Sequence, residues 1–546
     1  MKKGLSKGKS FFWLGLIILV AAFLRLYRLE SNPPSLNWDE VSHGYNAYSI
    51  LKTGKDEWGI RLPLIFRAYG DYKLPLYIYL TVPWVGLLGL TAYSVRLVSV
   101  LSGMGLVAVA YFIGLRLGKN KQVGLLAAFL TAVSPWPLFL SRVAVEANLG
   151  AFLFSLAGCF FLKWWDSQKL SDLNLASLFW GLSLHAYNSN RILVLLLMLL
   201  GLFWFLRQKK ARKIIFPLLI LGLMMLPLVV QYFDETAKAR FEWVNILDQG
   251  MIGQIIEKRT TSTLPVPLPT LLHNKATYFA YHTIKNYASN LSFKYLFFYG
   301  GSHYQFSLPN RELLFLVTAP FLILGLLRAL KTSGKERFLA LWFFLAFVPS
   351  AITRDAPHVL RTILVLPTPM ILTSLGVKSV IDFLKEKSAL KGHLVIFAFI
   401  FATGVSFINW WKDYFGVYPK AYSWAWQFGY QEAVSYLKNH YSDYQKVFFT
   451  KRYGEPHEFV AFYFPWEPES FVGKREWDYH ANWYWTNGLE KFVFVNDWEI
   501  KEGVSCDNRI GHCLLVTSPG NYPAGWSKIE TIDFLDGRPA FEILEK

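Results

Sequence analysis

Cysteine is scarce in this chain, with three in 546 residues, and that scarcity excludes a fold held together by a disulfide framework. Cys159 lies within an apolar stretch, where a thiol packs like a small hydrophobic side chain. Cys506 and Cys513 bracket a short polar loop, and they are expected to pair only if that loop faces an oxidising exterior.

Charge is the second scarcity. Charged residues make up 17% of the chain against 53% hydrophobic residues, and they are almost missing from its repeated apolar runs. Those runs are roughly 16–23 residues long, which is typical of a polytopic α-helical membrane protein and excludes a soluble enzyme. The lack of polar groups within them also disfavours a transporter or flippase, which needs such groups near mid-membrane.

The basic residues that account for the net charge of +18 are confined to short loops between apolar runs. This placement is an orientation signal for a membrane protein, so no nucleic-acid partner is predicted. The clusters are Lys2, Lys3, Lys7 and Lys9; Arg116, Lys119 and Lys121; Arg207, Lys209, Lys210, Arg212 and Lys213; Arg328, Lys331, Lys335 and Arg337; and Lys385, Lys387 and Lys391.

Placing all of these clusters in the cytoplasm predicts about eleven transmembrane helices, with the N-terminus inside and the C-terminus outside. The first is Phe11 to Leu26, which no small-residue cleavage site follows, so it is not read as a cleaved signal. Leu76 to Leu90 is short and contains Pro83, and we interpret it as an interfacial or re-entrant helix on the outer surface. The other spans are expected near 94–116, 121–139, 148–165, 173–187, 191–206, 213–231, 311–330, 337–352, 359–377 and 393–411.

The predicted architecture is therefore an all-α membrane domain over residues 1–412 in the plasma membrane, followed by a small extracytoplasmic α/β domain over 413–546. The outer face carries a first loop over 31–93 and a long loop over 232–309. In the last domain the pattern predicts a helix over Tyr430–His440 and five strands. The strands are Val447–Thr450, Phe459–Phe464, Phe492–Val495, Leu514–Thr517 and Ile529–Phe534.

The same domain is rich in tryptophan. Its indole rings stack on sugar rings in one interpretation, and pack the domain or anchor it at the interface in the other. The residues are Trp466, Trp477, Trp483 and Trp485.

Asp39 and Glu40 follow the first span directly and are predicted to face outward. Ionisable groups beside a membrane span usually serve a function. A carboxylate here is placed to deprotonate an acceptor hydroxyl, and the alternative is a pair of acids that merely stabilises the N-terminus of the next helix.

Cations and aromatic residues recur at the other predicted outer junctions. Lys73 follows Asp71 and Tyr72, and a lysine at headgroup level binds a lipid phosphate or simply extends toward water. Arg142 and Glu146 have the i,i+4 spacing of a helical pair, as Tyr187 and Arg191 do. The remaining candidates are Arg96, His358 and Arg361.

Together these segments resemble the protein O-mannosyltransferase-like glycosyltransferases, a group with the GT-C fold that also includes the lipid A aminoarabinose transferases. The resemblance covers nearly the whole chain. It is carried by Trp38-Asp39-Glu40, by Tyr72-Lys73-Leu74-Pro75-Leu76-Tyr77, by Arg96-Leu97, by Ser134-Pro135-Trp136 with Ser141-Arg142 and Glu146, and by Tyr187 with Arg191. Further matches are Asn290-Leu291-Ser292-Phe293, Leu296-Phe297-Phe298-Tyr299-Gly300, Tyr418-Pro419 and Trp426-Gln427-Phe428-Gly429-Tyr430.

The resemblance implies transfer of a sugar, mannose being the group's commonest, from a polyprenyl-phosphate donor to an acceptor on the outer face, with inversion. By position Asp39 matches the catalytic base, Glu40 the second acid and Lys73 a contact to the donor phosphate. Arg142, Arg191, His358 and Arg361 are the further expected phosphate contacts, and the supporting residues are Asp71, Tyr72, Arg96, Glu146 and Tyr187.

The chain departs from the group at Tyr72-Lys73-Leu74-Pro75, where relatives commonly have Glu-Lys-Pro-Pro. No cofactor is assigned for this reason, and a divalent metal remains open. The acceptor is a protein, a lipid or a glycan. The alternatives kept are a lipid-linked glycan transporter or flippase, a glycan polymerase or ligase, and a glycan-binding membrane protein without chemistry.

Overall fold

The structure is a computed structural model that describes residues 7–208, 211–232, 243–506 and 512–546. Up to residue 416 the described chain is mostly helical. Its helices are α1 Lys7–Leu26, α2 Trp38–Thr53, α3 Pro75–Leu88, α4 Ala92–Gly118, α5 Lys121–Val133, α6 Pro135–Leu140, α7 Glu146–Ser167, α8 Leu170–Ser183, α9 Asn188–Arg207, α10 Ile215–Tyr232, α11 Gln249–Thr260, α12 Leu268–Leu272, α13 Lys275–Asn290, α14 Ala319–Lys331, α15 Lys335–Leu345, α16 Val348–Ala351, α17 Thr368–Lys387 and α18 Ala389–Gly416.

Within the described ranges, seven helices are long and apolar enough to cross a membrane, which makes the chain a multi-pass membrane protein. They are Gly8–Leu26, Ala92–Gly118, Glu146–Ser167, Asn188–Arg207, Arg212–Val229, Ile363–Lys385 and Leu390–Gly416. The four other predicted spans are shorter helices, so the count of about eleven stays a prediction. Lys2, Lys3, Lys209 and Lys210 lie outside the described residues, as does part of the long loop, 233–242.

The chain divides into two compact units. Unit 1 comprises Met1–Arg25, Leu101–Ser141 and Glu146–Trp410, and unit 2 comprises Leu26–Val100, Arg142–Val145 and Trp411–Lys546. Unit 2 thus joins the first predicted outer loop to the C-terminal region. The predicted division at residue 412 concerns the membrane boundary and stays a prediction.

In unit 1 two glycines allow the helices α14 and α17 to cross closely. A Cβ at Gly325 of α14 would overlap the Leu372 carbonyl of α17, and a Cβ at Gly376 would overlap the Phe321 carbonyl. Small residues let two backbones approach in this way, and in lipid such packing replaces the hydrophobic effect as the source of helix association.

Unit 2 begins with α2, a two-stranded hairpin and α3. The hairpin pairs β1 Phe66–Arg67 with β2 Tyr72–Lys73, and α3 follows with Pro75 in its first turn. Pro75 has no amide hydrogen to lose there, so the helix starts at that residue. The predicted interfacial helix over 76–90 is thus a helix, while its depth in the membrane stays a prediction.

The C-terminal part of unit 2 is the predicted small α/β domain, built on a seven-stranded mixed sheet with the order β4-β5-β6-β3-β7-β9-β8. β3 runs parallel to β6 and β7, and the other neighbours are antiparallel. The elements are α19 Tyr418–Tyr422, α20 Tyr430–Asn439, β3 Lys446–Thr450, α21 Pro456–Tyr463, α22 Pro468–Lys474, β4 Arg475–His480, β5 Trp483–Leu489, β6 Phe492–Val495, α23 Asp497–Gly503, β7 Cys513–Thr517, β8 Ser527–Asp533 and β9 Pro539–Glu545.

The helix predicted at Tyr430 and four of the five predicted strands are confirmed, and the strand at Phe459–Phe464 is wrong. That segment belongs to α21, which has Pro456 at its start and Glu458 in its first turn. A short, continuous apolar run does not distinguish a buried strand from a buried helix, and the helix-start residues before it decide the matter. Cys506 and Cys513 are joined by a disulfide.

Prediction: Gly325→Ala lowers the free energy of unfolding by about 3 kcal/mol or more, because two backbones must separate to admit the methyl group. The measurement is thermal or denaturant unfolding of the purified protein in detergent. Gly404→Ala in α18 is the matched control, since no atom lies within 4 Å of a Cβ placed there. Equal stability of the two variants contradicts the close crossing.

Candidate active site

The acid pair is positioned by the first turn of α2. The Asn37 side chain accepts a hydrogen bond from the Glu40 amide at 3.0 Å, and the Glu40 carboxylate accepts one from the Asn37 amide at 3.2 Å. This capping box fixes where the helix begins. Successive helical residues point about 100° apart, so the two acids face different surroundings. Glu40 is fully buried, whereas the Asp39 side chain is 52% exposed.

Glu40 is held in a buried, bidentate ion pair with Arg96 of α4. Both donor–acceptor distances are 2.9 Å, and the carboxylate also accepts the Ala144 amide at 2.8 Å. Arg96 donates in addition to the carbonyls of Leu29 and Ser35. With its oxygens occupied in this way, Glu40 positions the backbone around the first turn of α2. The predicted catalytic role of Glu40 and the predicted supporting role of Arg96 stay predictions.

Arg142 is also buried among internal partners. Its guanidinium donates to the carbonyls of Tyr27 and Asn32 at 2.7 Å and to the Tyr414 hydroxyl at 3.2 Å. These bonds fix the position of the segment that follows α1. These partners give Arg142 a structural role, and the predicted phosphate contact stays a prediction. Residues 142–145 precede α7, so Arg142 and Glu146 do not lie on one helix as the spacing predicted.

Asp39 forms an ion pair with Lys73. The Lys73 ammonium lies 3.0 Å from a carboxylate oxygen of Asp39 and donates to the Asp39 carbonyl at 3.3 Å. Its side chain is only 9% exposed and its ammonium lies 5.4 Å from the centre of the Tyr69 ring. The Tyr69 hydroxyl donates to the Trp38 carbonyl at 2.9 Å, which holds the ring beside the acid. The exposed carboxylate and the nearly buried ammonium group thus form one pair.

The β1–β2 hairpin delivers Lys73 to this place. Lys73 pairs with Phe66 and Tyr72 pairs with Arg67 across the two strands. The Asp71 carboxylate accepts the Tyr72 amide hydrogen at 2.7 Å, so Asp71 stabilises the turn that precedes the strand. Asp71 and Tyr72 are both half-buried.

The remaining predicted site residues belong to unit 1. Glu146 is the first residue of α7 and Tyr187 caps α9, which contains Arg191. Arg191 donates from Nε to the Leu184 carbonyl at 3.4 Å, and its buried Nη2 has no hydrogen-bond partner among the described residues.

His358 and Arg361 lie before α17 in the same unit. Arg361 is 8% exposed, donates to the Thr353 hydroxyl at 2.8 Å and forms an ion pair with Asp355 at 3.4 Å. The His358 ring centre lies 5.7 Å from that of Phe306. Donor binding by Arg191, His358 and Arg361 stays a prediction.

Sequence reasoning missed a buried cluster in unit 2. Glu57, in the loop after α2, and Glu458 of α21 are each 1% exposed. Burial and the neighbouring Glu57 charge hold the pKa of Glu458 well above its usual range. Arg475 donates to the Glu57 carbonyl at 3.1 Å. The signal in the sequence was the pair of acidic segments, Asp56-Glu57 and Glu455-Pro456-His457-Glu458.

The sequence left a divalent metal open. Within residues 7–208, 211–232, 243–506 and 512–546, no group of three or more His, Cys, Asp or Glu side chains is arranged to hold a metal ion.

No protein-family model and no curated protein matches the chain. Among solved structures it is similar to ArnT from Cupriavidus metallidurans bound to undecaprenyl phosphate, with a TM-score of 0.55, 11% identity and coverage of 99% of this chain and 98% of that one. It is also similar to the archaeal oligosaccharyltransferase AglB from Archaeoglobus fulgidus in complex with an inhibitory peptide and a dolichol-phosphate. That match has a TM-score of 0.51 and 13% identity, and covers 84% of this chain.

The chain spans 63% of the length of the AglB chain. At identities of 11% and 13% the two matches establish the fold and no more. They confirm the predicted class, a GT-C membrane fold with a C-terminal sheet domain.

Prediction: Arg96→Leu lowers the free energy of unfolding by about 3–5 kcal/mol, because it leaves the Glu40 charge buried without its partner. Arg116→Leu is the matched control on the same helix. Arg116 pairs with Asp166 at 2.6 Å where both side chains are partly exposed, and its loss costs at most about 1 kcal/mol. Unfolding in detergent compares the two, and similar losses contradict the assignment.

Proposed function

We propose that the protein is an integral membrane glycosyltransferase that moves a sugar from a polyprenyl-phosphate donor to an acceptor on the outer membrane face. The observation that carries the proposal is the Asp39–Lys73 pair, in which an exposed carboxylate lies 3.0 Å from a nearly buried ammonium group. Such a pair offers a base for the acceptor and a positive charge for the leaving phosphate, which are the two groups that glycosyl transfer needs.

Two further observations support the proposal. The fold is shared with ArnT, captured with undecaprenyl phosphate, and with AglB, captured with a dolichol-phosphate. The seven long apolar helices place the chain in a bilayer, where a polyprenyl donor is dissolved. The disulfide between Cys506 and Cys513 agrees with an extracytoplasmic C-terminal domain, because disulfides persist in oxidising compartments.

The pair also suggests an order of events. Before the donor binds, the Lys73 ammonium is paired with the Asp39 carboxylate. An arriving phosphate competes for the same ammonium and so releases Asp39. Asp39 then takes the proton of the acceptor hydroxyl as its oxygen attacks the anomeric carbon from the face opposite the phosphate. The sugar–phosphate bond breaks, the configuration inverts, and polyprenyl phosphate leaves with the bonding electrons.

The sugar is proposed to be mannose, following the resemblance in sequence, and the acceptor is a protein, a lipid or a glycan. The test is incubation of the purified protein with a panel of labelled polyprenyl-phosphate sugars, scored for release of free polyprenyl phosphate and for labelled acceptor. Absence of release with every donor overturns the proposal and favours a transporter or a binding protein. Release only from pyrophosphate-linked donors favours a polymerase or ligase.

Prediction: Asp39→Asn abolishes transfer, with a loss of about 10²–10⁴-fold in kcat, because an amide cannot accept the proton. Asp443→Asn is the control, since Asp443 is an exposed acid of the same unit that pairs with His440. The measurement is the initial rate of transfer at saturating donor, together with expression level and unfolding temperature. A wild-type rate for the Asp39 variant removes Asp39 from the role of base.

Prediction: Lys73→Met raises the KM for the donor about tenfold or more, because the positive charge that meets the phosphate is lost. Lys73→Arg restores part of the affinity. Lys52→Met, at an exposed lysine of α2, serves as the control. An unchanged donor KM in the Lys73 variant contradicts the assignment.

A further inference from the structure

The turn of the β4–β5 hairpin packs on the β1–β2 hairpin, which delivers Lys73 to the candidate site. A Cβ at Gly70, between β1 and β2, would overlap the Trp483 ring, so the two turns are in close contact. The turn of the β4–β5 hairpin consists of Ala481 and Asn482, whose φ angles of 54° and 59° are those of a tight turn that suits twisted strands. Both the turn and its packing therefore fix where Trp483 lies relative to Lys73.

A row of rings leads from Lys73 across the β4–β5 hairpin. The Lys73 ammonium lies 5.4 Å from the centre of the Tyr69 ring, which lies 5.8 Å from that of Trp483 at an interplanar angle of 22°. The centres of the Trp483 and Trp485 rings are 6.0 Å apart, and Trp485 stacks on His480 at 5.5 Å and 17°. Trp483 and Trp485 are half-buried, and the His480 side chain is 63% exposed. The row therefore joins the nearly buried ammonium group to solvent.

These hairpin rings share one face of the two strands with a carboxylate. Residues that lie opposite each other in an antiparallel pair point to the same face, and Asp478 lies opposite Trp485 while His480 lies opposite Trp483. The Asp478 carboxylate lies 3.3 Å from His480 Nδ1, and its side chain is 52% exposed. We call the surface formed by Asp478, His480, Trp483 and Trp485 the hairpin face.

Further polar groups border the hairpin face. The Lys451 ammonium lies 5.7 Å from the centre of the Trp485 ring and donates to the Asn487 side-chain oxygen at 2.5 Å. The Glu455 carboxylate accepts the Trp483 indole hydrogen at 2.7 Å. Rings interleaved with carboxylate, imidazole, amide and ammonium groups suit a ligand that has apolar faces and many hydroxyl groups. A saccharide has both, because the C–H groups of a sugar ring stack on aromatic rings while its hydroxyls donate and accept hydrogen bonds.

Two other roles of aromatic residues fit the hairpin face less well. Rings that only pack a domain are enclosed by it, whereas His480 and Asp478 are more than half exposed. Rings that anchor a domain at a bilayer lie at the level of the lipid headgroups, and an anionic headgroup layer would repel the exposed Asp478 carboxylate.

We propose that the hairpin face binds the acceptor and that the acceptor is a saccharide. The sugar rings stack on Trp483 and Trp485 and form hydrogen bonds with Asp478 and His480. One hydroxyl of the bound saccharide is then the group that Asp39 deprotonates. This inference rests on the proposed function, because it names the class of acceptor for that reaction.

The first test measures saccharide binding without any donor. The purified protein in lipid nanodiscs is applied to an array of oligosaccharides built from hexose, hexosamine, pentose and hexuronic acid units. Nanodiscs replace glycoside detergents, because the headgroups of those detergents are themselves saccharides. At least one oligosaccharide is expected to bind, and the same oligosaccharide free in solution is expected to compete for the protein. Absence of binding to every member of the array overturns the proposal.

Substitutions locate the binding surface. Trp485→Ala is expected to weaken binding of that oligosaccharide about tenfold or more, since truncating an aromatic anchor removes most of its contact area. His480→Ala is expected to weaken binding less, and Trp485→Phe to keep part of the affinity. Unfolding temperatures show whether each variant folds, and His480→Ala decides the test if Trp485→Ala does not fold. Unchanged binding in the Trp485 and His480 variants overturns the proposal.

Two tryptophans serve as matched controls. Trp477→Ala removes an indole from the opposite face of the same hairpin, and Trp498→Ala removes one that is 60% exposed on α23. Both control variants are expected to bind the oligosaccharide as the wild type does. A Trp477 variant that binds as weakly as the Trp485 variant contradicts the assignment to the hairpin face.

A transfer assay separates this inference from the proposed function. Labelled polyprenyl-phosphate sugars are offered together with the bound oligosaccharide, with a peptide rich in Ser and Thr, or with a phospholipid. Label is expected on the oligosaccharide, and Trp485→Ala is expected to raise the KM for that acceptor about tenfold while the donor KM is unchanged. Label only on the peptide or the lipid overturns the saccharide acceptor and leaves the proposed function intact. Absence of transfer and of polyprenyl phosphate release with every acceptor overturns the proposed function, and the array then decides saccharide binding by itself.

Discussion

The ion pair between Glu40 and Arg96 is the constraint on which the candidate site depends. It joins the first turn of α2 to α4, and the same two side chains bind the carbonyls of Leu29 and Ser35 and the amide of Ala144. Three separate stretches of chain therefore meet at one buried carboxylate. Removing two charges from water is costly, and only this full set of hydrogen bonds compensates for it.

Because of this arrangement the two neighbouring acids, Asp39 and Glu40, have different surroundings. Glu40 is buried and fixes the backbone, while the side chain of Asp39, one residue earlier, is 52% exposed. Lys73 shows the reverse pattern, because its side chain is almost covered by protein. A site with an accessible carboxylate and an enclosed ammonium favours a substrate that brings its own negative charge, as a lipid phosphate does.

The sequence was informative wherever hydropathy alone decides the structure. Long apolar runs predicted helices such as α4 and α18, and the resemblance predicted the GT-C fold. The sequence was uninformative where residues of the same type have different surroundings in the folded protein. Arg142 and Lys73 are both cations near a predicted outer junction, yet only the fold shows that the Arg142 guanidinium is hydrogen-bonded to backbone carbonyls. Glu57 and Glu458 are separated by some four hundred residues, and the acidic segments that contain them do not indicate that both side chains are buried.

The N-cap at Asn37 also has a consequence for how such a site changes during evolution. Two adjacent acids are chemically almost interchangeable, and the phase of the helix determines which one is exposed. Deleting Trp38, the single residue between the cap and the pair, would move the glutamate to the exposed position that Asp39 holds now. In chains this divergent, counting from the cap is therefore a sounder guide to the reactive acid than matching letters in an alignment.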